Sequence, residues 1–176
     1  TGGDDQGDVQ VSEAELRRVH LPPFQAAIRR GVGSFMIGFQ SWNGVKVHGH
    51  RYLITDVLKK ELRFSGFVVS DWNGIDQIDG QEGFTPAEVR TAVNAGIDMF
   101  MVPDQWRRFI ETLKAEVRAG RVPMSRIDDA NRRILTKKVE LGLFERPLAD
   151  RRYLKTVGSA QHRALARQAV AKSQVL

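Results

Sequence analysis

With 176 residues, 41% of them hydrophobic and 27% charged, the chain is long enough for one domain with a real core, and it holds no run of about eighteen apolar residues that could span a membrane. Its 27 basic residues against 21 acidic ones leave a net charge of +6. Acidic residues are interleaved throughout and no basic run carries aromatics, so the charge reads as solvated helix faces (Lys114, Arg118 and Arg121; Arg132-Arg133 with Lys137-Lys138) and argues against nucleic acid as a partner. The absence of cysteine excludes disulfides and thiolate-bound metals.

In chain order, Ser12-Glu13-Ala14-Glu15 has capping-box spacing, with Val11 placed as a staple, and predicts a helix over 13–30 that breaks at Leu21-Pro22-Pro23. Gly33 to Phe39 is the first apolar strand candidate. Asn43-Gly44 is a turn signal, and Trp42 beside it suits either packing or a sugar subsite. A helix is predicted over 51–63, where Ile54, Val57, Leu58 and Leu62 share a face. The second strand candidate, Gly66 to Ser70, runs directly into Asp71 and Trp72. Thr85-Pro86-Ala87-Glu88 starts a helix over 86–95, with proline at its first position. The third strand candidate is Ile97 to Val102, followed by helices over 104–119 and 126–141, with Asp104 and Ser125 as expected caps.

The three strand candidates recur about thirty residues apart, the size of one βα unit, and none alternates cleanly between polar and apolar. The pattern predicts an α/β fold with a parallel sheet covered on both faces. Near Gly142 the character changes to an irregular polar stretch, and an amphipathic helix is predicted after Ser159. A single helix cannot offset its own ordering cost, so the segment after Ser159 is expected to open a second domain. The start at Thr1, without methionine, and the two open sheet edges lead to the expectation of a piece of something longer.

Asp71 follows the apolar run with no turn residue between, which places its carboxylate at the strand's carboxyl end, where parallel α/β folds bind ligands. An aspartate beside an indole suits sugar chemistry, with an oxygen to attack and an aromatic face to hold the ring. The alternative is a cap of the following turn. His48 and His50, in Val47-His48-Gly49-His50, hint at a metal pair, but no third ligand stands in a recognisable pattern and loop packing is favoured. Trp106 is expected to pack, and Asp98 to serve stability at a strand's start. Neither glycine-rich stretch has phosphate-loop or dinucleotide spacing.

Ser41-Trp42-Asn43-Gly44-Val45, Tyr52 to Leu58, Gly66 to Trp72, Ala95 to Met99, Arg126 to Ala130, Gly142 to Glu145 and His162 to Ala166, taken together and in order, resemble glycoside hydrolase family 3. The nearest likeness is to its β-glucosidases and exo-β-glucanases. The resemblance implies the C-terminal part of a (β/α)8 TIM-like barrel over 1–145, a linker over 146–158, and over 159–176 the first helix of an α/β sandwich. It implies a retaining enzyme acting on a β-glucoside or β-glucan, with no cofactor or metal, in the periplasm or outside the cell. It makes Asp71 the nucleophile and Trp72 the aromatic of the sugar subsite, with Met36 near the same subsite. Phe39 falls where some relatives carry a tyrosine, whose hydroxyl it lacks.

The chemistry asks for a second carboxyl about 5–5.5 Å from the first. Asp76, Asp79 and Glu82 follow Asp71 in a glycine-containing loop and read as solvated. The resemblance implies that the acid/base is a glutamate beyond Leu176, and that a substrate-clamping Lys-His pair precedes Thr1. Asp4-Asp5-Gln6-Gly7-Asp8 lacks the histidine of the branch that uses an Asp-His pair. Two other readings are a non-catalytic carbohydrate-binding or scaffold piece, and a different βα-barrel enzyme. The second would need a strand-end lysine or a phosphate loop.

Overall fold

The computed structural model describes residues 5–81 and 83–175. The chain divides into two compact units at Lys137/Lys138. The first unit holds two small sheets. One joins β1 (Asp8–Val9), β3 (Ser41–Trp42) and β4 (Val45–Lys46), in that order. The Asn43-Gly44 turn links β3 to β4 antiparallel, with both residues at positive φ (48° and 82°), as a tight two-residue hairpin requires. These two-residue strands had no signal of their own in the sequence.

The other sheet is the predicted parallel one. β2 (Ser34–Met36) and β6 (Met99–Met101) flank β5 (Phe67–Trp72). Ser34 pairs with Phe67 and Met36 with Val69. On the other side Val69 pairs with Met99 and Trp72 with Met101, so β5 takes one residue more than β6 over that interval. The extra residue makes a bulge across Ser70 and Asp71. Gly66 opens β5 because a Cβ there would lie 2.2 Å from the Gly33 carbonyl oxygen and 2.5 Å from the Phe64 ring.

The helices that cover this sheet follow their start signals, with instructive exceptions. Ser12 caps α1 (Glu13–Glu15), and the chain then widens to π winding over Leu16–His20 before α2 (Pro22–Arg29). Thr85 and Glu88 form the complete reciprocal box that starts α3 (Pro86–Ala95), worth about 1 kcal/mol. Asp104 does not cap α4 (Trp106–Arg118): the helix begins two residues later than expected, and Gln105 at its cap makes no side-chain cap bond. Ser125 likewise lies inside α5 (Met124–Glu140), one residue past its start. Trp106 is half exposed, with the Arg107 guanidinium 4.2 Å from its ring centre, and so does not pack inward.

The predicted helix over 51–63 is π-wound over Tyr52–Glu61, closed by Leu62 N–H donating to the Val57 carbonyl at 2.9 Å. Wider winding buries Val57, Leu58 and Lys59 in succession, beyond the single face that the apolar period indicated. Lys59 places its Nζ 2.8 Å from both Asp98 carboxylate oxygens. Asp98 also accepts the Val68 N–H at 2.8 Å and bonds Arg126 of α5. Asp129 joins Arg126 and Arg133, and Arg133 donates to the Phe64 and Gly66 carbonyls at 2.9 and 2.8 Å. Arg133 is therefore mostly enclosed, with 15% of its side chain exposed, and is no solvated surface cation. Burial pushes the Lys59 ammonium down to about 8 against the pull of Asp98. Arg121 is also engaged: with Arg90 it shields the buried Glu116 and holds its carboxyl down at about 2.

Above this network, Ile54, Phe64, Val68, Ile75, Val89, Ile97 and Val122 form a continuous apolar core. The second unit is a separate turn-and-helix segment. Asp150 caps a 3-10 turn at Arg151–Thr156 by accepting the Arg152 N–H, and Ser159 caps α6 (Ala160–Ser173), a helix with no buried residue. No helix among the described residues is long and apolar enough to cross a membrane.

Asp98→Asn leaves Lys59 and Arg126 buried beside a neutral group and is expected to cost about 3–5 kcal/mol. Asp56→Asn, at the exposed Lys60 pair, is expected to cost under about 1 kcal/mol. Urea unfolding of both variants measures the contrast, and equal costs would contradict a structural role for the network.

Candidate active site

The carboxyl ends of the three parallel strands converge on Met36-Ile37, Asp71-Trp72 and Met101. Asp71 is held by its backbone on both sides. Its N–H donates to His48 Nε2 at 3.0 Å, and its carbonyl accepts the Ser70 hydroxyl at 2.9 Å. The same Ser70 oxygen accepts the Met101 N–H at 2.8 Å, so a side chain replaces the ladder bond that the bulge breaks. Just beyond, Asn73 takes a left-handed conformation (φ 51°) and donates its N–H to the Met101 carbonyl at 2.8 Å. Asp71 Oδ1 accepts the Trp72 N–H at 2.7 Å. The carboxylate is half-buried, and the Trp72 ring beside it is 59% exposed.

His48 was expected to pack in its loop, but its bond to the Asp71 amide had no signal in the sequence. It lies on a 3-10 turn (Val47–Gly49) and is almost wholly buried. Burial pushes its imidazole down to about 4; Asp71 pulls the other way and Lys46 adds to the lowering. Phe39 flanks it with ring centres 6.1 Å apart, and the Phe39 carbonyl accepts the Lys46 ammonium at 2.9 Å. His50 has a separate task. Its Nδ1 accepts the Leu53 N–H at 3.4 Å, and its ring stacks on Trp42 at 5.4 Å. Both histidines thus serve packing and backbone bonding, as the loop-packing reading anticipated.

Met36 is 58% exposed, an unusual state for an apolar strand residue. Met36 and Trp42 line one largely apolar cavity of about 280 Å³, together with Phe24 and Leu53. Within it Trp42 is anchored, its Nε1–H donating to the Val11 carbonyl at 3.0 Å. The loop after Asp71 borders a second, polar hollow of about 490 Å³ with Asn73, Asp76, Gln77 and Gln105 on its wall. Asp76 is not the solvated loop residue that was expected. Burial and the nearby Glu88 carboxylate raise its pKa, and its Oδ1 is enclosed with no hydrogen-bond partner among the described residues. Asp79 does behave as a turn residue, exposed and accepting the Gln81 N–H. Glu82 and Asp4 lie outside the described residues.

Residues 1–137 match the family model described as the glycosyl hydrolase family 3 N-terminal domain. The chain is 35% identical to a beta-xylosidase of Formosa agariphila over 97% of its own length and 25% of that protein's. It is 38% identical to a lysosomal beta glucosidase of Dictyostelium discoideum over 94% of its length and 21% of that protein's. Among solved structures it superposes on an exo-1,3/1,4-beta-glucanase from a Pseudoalteromonas species with TM-score 0.84 and 41% identity, covering 97% of this chain and 21% of that one. The chain thus spans about a quarter or less of the length of these relatives. With an α/β fold of that kind and a family match over most of its residues, the chain belongs to glycosyl hydrolase family 3.

Proposed function

We propose that this chain carries the nucleophile of a retaining glycoside hydrolase that removes terminal β-D-glucosyl residues from β-glucosides or β-glucans. The observation that carries the reading is Asp71 itself. It stands at the carboxyl end of the central parallel strand, on a bulge, with its backbone tied at both N–H and C=O. A bulge beside a binding site re-aims one side chain without moving the sheet. The parallel βα units are read as the last part of a (β/α)8 barrel, with residues 146–158 as the linker to a following domain. The open face at the strand ends is where such a barrel works.

Oδ1 of Asp71 is tied by the Trp72 amide, which leaves Oδ2 as the attacking oxygen. It bonds to the anomeric carbon as the glycosidic C–O bond breaks, and the departing oxygen takes a proton from a general acid. Water then attacks the same carbon, gives its proton to the conjugate base and releases Asp71. Trp72, free on its exposed face, stacks on the non-reducing-end sugar, and Met36 and Phe39 border that subsite. Trp42, anchored to Val11 and lining the same cavity as Met36, is read as a further substrate contact. The reaction needs only water, and no cofactor enters it.

The proton donor is read as a glutamate outside these residues, as the family likeness implies. Asp76 is the internal rival because its raised pKa suits an acid. Its Oδ1 is enclosed, with no hydrogen-bond partner among the described residues, and the family likeness favours the glutamate over it.

In the full-length protein, Asp71→Asn is expected to lower kcat by about 10⁴-fold or more with the fold intact, and near-wild-type turnover would overturn the assignment. Asp76→Asn is expected to leave turnover of an unactivated glucoside within a few-fold. A loss of about 10²–10⁴-fold that disappears with a dinitrophenyl leaving group would place the acid on Asp76.

A further inference from the structure

We propose that His48 is a positioning residue for Asp71: by accepting the Asp71 N–H at Nε2, it fixes the bulged end of β5 and so the direction of the carboxylate. The bulge takes this end of β5 out of the regular ladder, and the groups that replace it are the Ser70 hydroxyl on the carbonyl side and His48 on the amide side. Of the two, Ser70 belongs to β5 itself. His48 is the one that comes from another element, the turn before the Tyr52–Glu61 helix, and it ties the Asp71 amide directly to that turn.

The surroundings are shaped for this ring. A Cβ on Gly74 would lie 2.2 Å from His48 Nε2 and 2.5 Å from its Cε1, so position 74 is vacant of a side chain where the imidazole sits. Phe39 closes another side. An acceptor at Nε2 puts the ring's one proton on Nδ1, which requires the neutral imidazole. Burial supplies that state by pushing the ring down to about 4, and Lys46 assists while Asp71 opposes. The elements packed on the turn add Asp76 from Gly74–Gln77, and Glu88 and Arg90 from α3. Glu88 is engaged with Thr85 and Asp79, and Arg90 with Glu116. Protonated His48 would set a donor against a donor and release the strand end. The folded imidazole titrates below its unfolded value of about 6.5, so its stabilising contribution is complete above that pH and is lost as pH falls towards 4.

The catalytic meaning of this contact rests on Asp71 being the nucleophile, and the experiment separates the two. In ¹⁵N-labelled protein, a coupling across the hydrogen bond between Asp71 N and His48 Nε2 is expected at neutral pH and should vanish on acidification towards pH 4. This readout is independent of any activity, and its absence at neutral pH overturns the proposal. In the full-length protein, His48→Leu is expected to lower kcat by about 10²-fold with KM within a few-fold, the signature of a misplaced nucleophile. His48→Gln offers a neutral acceptor at the same reach and should restore kcat to within about five-fold while flattening the loss of stability between pH 6.5 and 4. A folded His48→Leu with wild-type kcat, or a Gln variant no better than Leu, overturns positioning. Should His48→Leu fail to fold, the wild-type coupling decides, present for and absent against. If Asp71→Asn keeps its turnover while the coupling is present, the nucleophile reading fails and the contact stands.

Discussion

One carboxylate, that of Asp98, fixes the frame on which everything else in the first unit is placed. Fully shielded, it accepts from Lys59 and from the Val68 backbone and pairs with Arg126. It thereby joins β5, the start of β6, the π-wound helix and α5 at one point near the amino ends of the strands. A buried charge is tolerated only when its partners are complete, and here each absent partner would leave another charge unpaired in the core. The arrangement is cooperative and demanding in geometry. Asp129 and Arg133 extend it to the carbonyls of Phe64 and Gly66, so the entry into β5 is bonded from its backbone outward.

That rigidity at one end of β5 frees the other end for irregularity. The bulge at Ser70-Asp71, the left-handed Asn73 and the outward Trp72 and Met36 each break a local rule of strand construction. Such breaks gather where function outweighs stability, and they are tolerated when the opposite end is locked. The bonds that repair the bulge use two side chains, Ser70 accepting the Met101 N–H of the neighbouring strand and His48 accepting the Asp71 N–H. In the proposed reaction, a carboxylate positioned in this way has little conformational freedom left to lose when the sugar binds, which is what preorganised chemistry needs.

Much of this was legible in the sequence, and the remainder was hidden for identifiable reasons. The three parallel strands, the Thr85 box and Asp71 at a strand end follow from apolar runs, glycine punctuation and short-range spacing. The family likeness drew on the same segments. The ion network was not legible, because its members lie far apart in sequence and a lysine inside an amphipathic pattern reads as surface. Lys59 turns inward through π winding, a local change that no 3.6-residue period announces. His48 drew notice as half of a metal pair, whereas its partner is a backbone amide, which leaves no trace in residue identity. Asp104 and Ser125 failed as caps because a capping residue type is permissive, and the helix start was set one or two residues away by packing.

The claim at the centre is that one atom of this chain forms a bond to sugar carbon. Treating the full-length protein with a 2-deoxy-2-fluoro-β-glucoside bearing a good leaving group should trap that bond, since the fluorine slows release of the intermediate. Peptide mapping by mass spectrometry is expected to find the added sugar on the peptide holding Asp71, and only there. A label on any other carboxyl, with Asp71 unmodified, would contradict the account.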